Sequence, residues 1–141
     1  CAHKFSEKRR CKNRVIIGAP LCWRHNRAKY GVEIKKSTIP GAGQGLFAAR
    51  DIPKDSWVCP YSGEAMTMSR VHRLYPGDMT APYVLQIPGP EKLATDCSIV
   101  RGIGSLANAH FNKNGAGKPD VWLKSTKLIH RGEEIFNWYG Q

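Results

Sequence analysis

Three cysteines and one histidine near the start of the chain have the types and spacing of a metal site. Cys1, Cys11, Cys22 and His25 follow the pattern C-x9-C-x10-C-x2-H. Sulfur and nitrogen ligands in a closed set of four suit tetrahedral zinc in a structural role. The surrounding segment has few large apolar side chains, so a metal is a reasonable source of its stability. Two alternatives stay open at this point: three unrelated thiols, or His3 in place of one of the four ligands.

A second candidate site is the glycine-rich stretch "IPGAGQGLFAARDI" at residues 39–52. Gly41, Gly43 and Gly45 form G-x-G-x-G, and such turns let a backbone approach a polar ligand closely. The dinucleotide fingerprint needs G-x-G-x-x-G between a strand and a helix, and here Pro53 follows too soon for a useful helix. The Walker pattern fails as well, because no Lys-Ser or Lys-Thr follows the glycines. The stretch predicts a strand, a tight turn and a strand, and by itself it also fits a plain glycine hairpin.

The elements that must position these residues are mostly short strands. Gly and Pro punctuate the chain after residue 31, and this pattern predicts a mainly β domain of several small sheets. The predicted strands are residues 32–37, 45–52, 57–66, 82–87, 93–98, 120–126 and 133–140. Pro60 makes the strand at 57–66 an edge or interrupted strand. Short helices are predicted at residues 68–75 and 104–111, the second with Ser105 as its N-cap, and a loop is predicted at residues 112–119.

The length and composition fit one domain with a small appendage. Residues 1–31 are predicted to form a basic zinc-binding module, and residues 32–141 the main domain. Hydrophobic residues make up 41% of the 141 residues, which is enough for a core. No apolar run approaches the length of a membrane span and no signal peptide is visible, so no membrane partner is expected. Five cysteines, an odd number, argue against a disulfide framework and for a reducing compartment.

The positive charge is concentrated in the first third of the chain. Of the net charge of +11, residues 1–50 carry +10, with twelve Lys or Arg against two acidic residues. Residues 51–141 carry ten Lys or Arg and nine acidic residues, and are nearly neutral. A concentrated basic face suggests a nucleic acid or another polyanion as partner, and the alternative is a solvated surface that only aids solubility.

Four stretches after residue 38 resemble the SET domain of protein lysine methyltransferases. They are "GAGQGLFAARDIPKD", "WVCPYSGE", "GSLANAHFNKN" and "LIHRGEEIFNWYG". Each is weak alone, but four in the right order and spacing, over nearly all of residues 32–141, make a strong signal. The resemblance implies a SET-domain fold, with several small β-sheets and a knot-like C-terminal segment. The glycine turn would then hold the methyl donor S-adenosylmethionine rather than a phosphate.

The resemblance also implies which residues hold the donor. They are Ala42, Gly43, Gln44, Gly45, Leu46, Asn108 and Ala109. Ala109 stands where the family has a histidine, and His110 stands where it has a serine. The family's histidine acts partly through its backbone, so the alanine implies a donor site that is retained but weaker. His110 itself is interpreted as a structural residue.

Methyl transfer to an amine needs a neutral amine, an aligned nucleophile and little water. Aromatic walls with hydroxyl groups meet these needs. The resemblance to the SET domain implies that Tyr139 and Tyr61 are catalytic and that Tyr83 and Asn137 line the substrate channel. Without the resemblance, Tyr139 would be interpreted as a core tyrosine. Asn137 is smaller than the aromatic residue usual at its position, which predicts the addition of more than one methyl group.

The other residues able to do chemistry have structural interpretations. Glu133 and Glu134 are adjacent in a predicted strand, so they face opposite ways and do not form an acid–base pair. Asp96 is predicted to anchor a turn. Cys59 and Cys97 lie in predicted strands, where they are expected to be buried as small apolar groups.

Together the patterns predict an S-adenosylmethionine-dependent protein-lysine N-methyltransferase with a structural zinc. Residues 1–25 also resemble the plant WRC motif, a short basic Cys-Cys-Cys-His segment thought to bind DNA. Histone in chromatin is therefore the leading substrate, with DNA or the nucleosome as a further partner and the nucleus as the expected location. The alternative, favoured by Ala109, is a catalytically weak or inactive SET protein that binds DNA or chromatin through its basic zinc segment.

Overall fold

The computed structural model of the chain describes residues 1–15, 20–61, 63–77, 83–87, 92–109, 115–116 and 122–137. These residues form short strands with few helices, as predicted. The strands are β1 (Lys4–Ser6), β2 (Arg9–Arg10), β3 (Val32–Lys36), β4 (Gln44–Ala48), β5 (Trp57–Pro60), β6 (Glu64–Thr67), β7 (Val84–Gln86), β8 (Leu93–Asp96), β9 (Asn108–Ala109), β10 (Gly115–Ala116), β11 (Trp122–Ser125) and β12 (Glu134–Asn137). The helices are α1 (Trp23–Tyr30) and α2 (Met68–Leu74), and a 3₁₀ turn spans Ile103–Leu106. No helix in these ranges combines the length and apolar character needed to cross a membrane.

The largest sheet has four strands in the order β3-β4-β12-β9. β4 is antiparallel to both β3 and β12, whereas β9 pairs with β12 in parallel. Successive residues of β4 are buried from Gly45 to Ala48, because both faces of this strand are covered. Leu46 lies opposite Ile34 on one side and Ile135 on the other. The parallel pairing brings β9 beside β12, the last described strand, and this agrees with the knot-like C-terminal segment that the SET resemblance implies.

Two three-stranded sheets flank this one, in the orders β10-β11-β5 and β6-β8-β7. β11 alternates, with Leu123 and Ser125 buried, so only one of its faces meets the core. Helix α2 packs against the second sheet in a small separate cluster of Met66, Val71 and Ala94.

A single main core joins the sheets. Its members are apolar side chains drawn from several of the sheets and from the 3₁₀ turn. They are Val32, Leu46, Ala48, Ile52, Val58, Cys59, Tyr61, Cys97, Ile103, Ala107, Leu123, Ile129 and Ile135. Full burial of each large aliphatic side chain is worth roughly 1.5–3 kcal/mol. This core holds the four-stranded sheet against the β5–β11 pair.

Helix α1 lies within residues 1–31, where no helix was predicted. Its sequence, WRHNRAKY, lacks the apolar stripe by which an amphipathic helix is recognised. The helix ends at Gly31, which adopts φ 68° and donates its N–H to the Arg27 carbonyl at 3.0 Å. Tyr30 packs against the main core and meets the Trp122 ring edge-on, with 5.7 Å between centroids. The last turn of α1 therefore joins the N-terminal module to the main domain.

The strand predicted at 57–66 is interrupted, as Pro60 predicted. It is divided into β5 and β6, with Gly63 between them, and β5 lies at the edge of its sheet. A Cβ on Gly63 would lie 2.1 Å from the Asp96 carbonyl oxygen, so a side chain is excluded there. Two other predicted elements differ from the structure: the described part of the predicted helix 104–111 is a 3₁₀ turn followed by β9, and the loop predicted at 112–119 contains the short strand β10. Ser105 does not cap the 3₁₀ turn: this residue lies inside the turn, and its hydroxyl donates to the Gly102 carbonyl at 2.9 Å.

Candidate active site and metal centre

The four predicted metal ligands lie together. Their ligand atoms are all within 4.8 Å of one another. The Sγ atoms of Cys1 and Cys22 are 3.4 and 3.3 Å from His25 Nδ1, and the Sγ atoms of Cys11 and Cys22 are 4.0 Å apart. Tetrahedral zinc with ordinary bond lengths separates two sulfurs by about 3.8 Å, and a sulfur and a nitrogen by about 3.6 Å. The cluster therefore has the donor set and dimensions of a structural zinc site.

Neighbouring groups favour thiolates in this cluster. Cys22 donates its backbone N–H to Cys1 Sγ at 3.3 Å, and Asn13 donates its amide to Cys22 Sγ at 3.5 Å. Burial opposes ionisation of the Cys22 thiol, but hydrogen bonds from His25 and Asn13 outweigh it and lower the pKa of Cys22 to about 6. His3 is outside the cluster and stacks on the His25 ring, with 3.8 Å between centroids. This stacking fixes the orientation of the His25 ring.

Three predicted parts of the donor site meet at one edge of the four-stranded sheet. β4 begins at Gln44 and runs antiparallel to β12, which ends at Asn137, so these two ends lie at the same edge. The parallel register pairs Asn137 with Ala109 and thereby brings β9 there too. For Asn108 and Ala109 the structure describes the backbone alone, and Tyr139 lies outside the described residues. The edge nonetheless combines the glycine turn, the Asn-Ala segment and the strand that leads toward the predicted catalytic tyrosine.

The glycine turn leaves room for a ligand at its backbone. Gly43 adopts φ 72°, a conformation that L side chains rarely adopt, and no atom lies within 4 Å of the position that a Cβ would take. Ala42, Gly43 and Gln44 are exposed, whereas Gly45 and Leu46 are buried. Because the Leu46 side chain belongs to the main core, only its backbone is able to face a ligand. The turn therefore leaves its main-chain groups open to a ligand.

Glu134 supports this turn, a role that the sequence alone did not predict. Its buried carboxylate accepts hydrogen bonds from Ser37 Oγ at 2.7 Å, from the Thr38 N–H at 2.7 Å and from the Thr38 hydroxyl. Ser37 also donates its N–H to the Gly43 carbonyl at 2.9 Å. Glu133 faces the other way, is exposed and accepts from the His130 N–H at 2.8 Å, so the two carboxylates are separated as predicted. Glu134 thus ties β12 to the chain that enters the glycine turn.

The predicted channel residues have different environments. Tyr61 is fully buried in the main core, close to the 3₁₀ turn. Asn137 is also buried, and its Nδ2 has no hydrogen-bond partner among the described residues. Tyr83 is 39% exposed, and the Arg101 guanidinium lies 4.5 Å from its ring centroid. Asn137 is thus enclosed at the sheet edge, whereas Tyr83 lies at the surface.

Cys59, Cys97 and Asp96 have structural roles, as predicted, whereas His110 lies outside the described residues. Burial raises the pKa of the Cys59 thiol far above its ordinary range and that of Cys97 to about 11, so both stay neutral. Asp96 accepts from the Ser98 N–H at 2.8 Å and from the Tyr75 hydroxyl at 2.7 Å. Burial opposes ionisation of Asp96, but these hydrogen bonds lower its pKa below the ordinary value.

Comparison with known families agrees with this arrangement. The family model for the SET domain matches residues 43–140. The comparison with curated proteins finds no match.

Among solved structures, the chain is similar to Chaetomium thermophilum polycomb repressive complex 2. The complex in an autoinhibited conformation, bound to S-adenosylmethionine, has 28% sequence identity and a TM-score of 0.64. A second crystal structure of this complex has 28% identity and a TM-score of 0.65. A third, in complex with H3K27me3 and H3K27M, has 29% identity and a TM-score of 0.61. The matches cover 78–79% of this chain and 14–15% of the matched chains.

Proposed function

Because the chain belongs to the SET-domain family, we propose that it is an S-adenosylmethionine-dependent protein-lysine N-methyltransferase. The observation that carries this proposal is the meeting of the glycine turn, β9 and the end of β12 at one edge of the four-stranded sheet. A similar solved structure bound to S-adenosylmethionine supports the choice of donor.

Each residue of the proposed site has a separate role in methyl transfer. S-adenosylmethionine, when bound, supplies a methyl group carried on a sulfonium. The backbone around Gly43 offers polar groups to the donor from an open turn. Tyr61 and Tyr139 exclude water with their rings and orient the substrate amine with their hydroxyls. The buried amide of Asn137 offers further hydrogen-bonding capacity, at a position where an aromatic ring would take more room. A neutral amine, held in line and kept from water, is what the displacement needs.

The reaction is tested by one substitution and its control. Tyr139→Phe keeps the ring and removes the hydroxyl, so methyl transfer is expected to fall by roughly a hundredfold or more. Binding of S-adenosylmethionine, measured by calorimetry, should change little. Tyr30→Phe is the control, because Tyr30, the last residue of α1, packs against the main core and the Trp122 ring. Turnover at the wild-type level in Tyr139→Phe would remove Tyr139 from the mechanism.

Histone in chromatin is the proposed substrate, which makes the nucleus the proposed location. One of the similar structures is in complex with H3K27me3 and H3K27M, which supports a histone substrate. A radiolabelled-methyl assay on separate histones, intact nucleosomes and cell extract tests this choice. Incorporation confined to non-histone proteins of the extract would contradict the histone proposal and leave the methyltransferase proposal standing.

We also propose that the N-terminal module binds one structural zinc and contacts DNA or the nucleosome. Four exposed cations near the zinc site form a basic run, and no carboxylate in the described residues pairs with them. The basic run consists of Arg9, Arg10, Lys12 and Arg14. Clustered cations without a carboxylate partner are available for phosphate contacts, which release counterions from DNA.

Neutralising the basic run tests the DNA contact. The slope of log affinity against log salt on duplex DNA is negative, and it should become less steep by about 0.9 for every phosphate that the protein no longer neutralises. The affinity for S-adenosylmethionine should stay the same. A control protein has the same number of exposed cations neutralised in the main domain, at Lys54, Arg73, Lys127 and Arg131. An equal reduction of the slope in both proteins would mean that net charge, and not the basic run, determines binding.

The second candidate function is a catalytically weak SET protein that acts as a chromatin-binding module. Ala109 in place of the family's histidine is the observation that favours it. Calorimetry with S-adenosylmethionine separates the two functions. Clear binding supports the enzyme, and no binding together with tight DNA binding supports the module.

A further inference from the structure

The N-terminal module contains a cleft of about 380 Å³ beside the metal cluster. Phe5, Cys11, Lys12, Asn13, Arg24 and His25 line it. The Phe5 ring is 53% exposed although the surface around it is strongly charged. Lys12 and Arg24 are exposed too and add two positive charges to the lining. The cleft thus combines an aromatic surface with cations.

Phe5 is held in place by its neighbours. The Arg9 guanidinium lies 4.8 Å from the Phe5 ring centroid. The rings of His3 and His25 meet Phe5 at steep angles, with centroids 4.9 and 5.7 Å away. Since His25 is one of the four clustered ligands, the position of the Phe5 ring is coupled to the metal site. An ordered ring that stays half exposed is well suited to bind a flat ligand at low entropic cost.

We propose that this cleft binds an unpaired nucleobase together with its phosphate, so that the module prefers single-stranded nucleic acid to duplex. Sites for single strands pair a positively charged groove with aromatic rings on which bases stack. Bases in a duplex are already stacked and paired, so the Phe5 ring has no base face to contact there. The cleft volume falls in the range of sites for small ligands. The inference rests on the nucleic-acid contact proposed above for the basic run, and it names the form of nucleic acid.

The test compares short oligothymidine with a duplex of the same length, by fluorescence anisotropy at fixed salt. Phe5→Ala is expected to weaken oligothymidine binding about tenfold, the effect of losing one stacked base, and to change duplex binding less than twofold. Phe5→Trp keeps a stacking surface and should retain wild-type affinity. Trp23→Ala is the control, because Trp23 is 65% exposed in the same module but does not line the cleft. Equal zinc content in all variants shows that the module remains folded, and oligouridine in a parallel titration distinguishes RNA from DNA.

Several outcomes overturn the inference. Equal losses for both ligands in Phe5→Ala would make the ring a structural residue, and so would a failure of Phe5→Trp to bind oligothymidine. An unchanged affinity in Phe5→Ala would exclude stacking in the cleft. If the wild-type protein binds duplex but not oligothymidine, the single-strand inference fails while the phosphate contact of the basic run stands. If it binds neither, both fail.

Discussion

Glu134 offers the sharpest test of how the fold supports the donor site. Its carboxylate is buried and accepts three hydrogen bonds from Ser37 and Thr38, directly before the glycine turn. A hydrogen bond to a charged group contributes about 1.5–3 kcal/mol, and a buried donor left unpaired costs about 1–3 kcal/mol. These terms overlap, because removing one carboxylate removes all three bonds together. We therefore expect Glu134→Ala to lower the free energy of unfolding by about 3 kcal/mol.

The glutamine variant separates charge from shape. Glu134→Gln keeps one acceptor oxygen, which can serve Thr38, so the expected loss of unfolding free energy is about 1–2 kcal/mol. Glu133→Gln is the matched control, because Glu133 is the exposed neighbour and its carboxylate accepts only from the His130 N–H in the described residues. Its expected effect is within about 0.5 kcal/mol.

The assay has two readouts. Urea unfolding, followed by tryptophan fluorescence, gives the free energy of unfolding for each variant. Calorimetry with S-adenosylmethionine shows whether the turn is still held for its ligand, and we expect Glu134→Gln to bind at least about fivefold more weakly, as for the loss of 1 kcal/mol. If Glu134→Ala unfolds within about 0.5 kcal/mol of the wild-type protein, on the scale of an ordinary surface substitution, the carboxylate is not a significant support. A loss of stability with unchanged donor affinity would mean that Glu134 supports the sheet and not the turn.

Three further predictions concern the metal centre, Asp96 and Asn137. Freshly purified protein should contain one zinc per chain, and less than half an equivalent would exclude the site. Chelation of the zinc should unfold β1, β2 and the ligand loops, while the circular dichroism of the β-sheets in the main domain is retained. Folding lowers the pKa of Asp96 below its ordinary value of 3.8, so the ionised carboxylate stabilises the protein above that value, and this contribution is lost as the pH falls through the lower folded pKa. The difference in unfolding free energy between the wild-type protein and Asp96→Asn should therefore shrink below about pH 4. Mass spectrometry at long reaction times should find more than one methyl group added; if the wild-type protein stops at one and Asn137→Phe continues further, the Asn137 amide limits the product and the size argument is wrong.

The sequence predicted the SET fold, which is confirmed, and the cluster of three cysteines and a histidine. Both predictions depended on the spacing of residues along the chain, which can be recognised without knowledge of tertiary contacts. The strand predicted at 32–37 is observed at Val32–Lys36 because its alternation and its flanking turns are local signals.

The misses have physical causes. Helix α1 was missed because its sequence has no apolar stripe. Its two ends hold it instead: Cys22 and His25 at its start belong to the ligand cluster, and Tyr30 at its end packs against the main core. The role of Glu134 was missed because its partners, Ser37 and Thr38, are 96–97 residues away along the chain. A glutamate in a strand has no local signal that distinguishes an exposed side chain from a buried acceptor. Tertiary contacts decided both cases.

β3 links helix α1, which follows the Cys-Cys-Cys-His cluster, to the glycine turn, and its two ends are held differently. At its start, Gly31 accepts the Ala49 N–H at 2.8 Å, and α1 precedes it directly. The Arg27–Glu33 ion pair at 3.3 Å adds little there, because the Arg27 side chain is nearly half exposed. Just beyond its far end, Ser37 is bound to buried Glu134. Loss of the metal would loosen the start of β3, whereas loss of the Glu134 carboxylate would loosen the end that enters the glycine turn. Donor affinity should therefore fall more in Glu134→Ala than in the chelated wild-type protein, and the opposite order would mean that the metal centre, acting through α1, controls the turn.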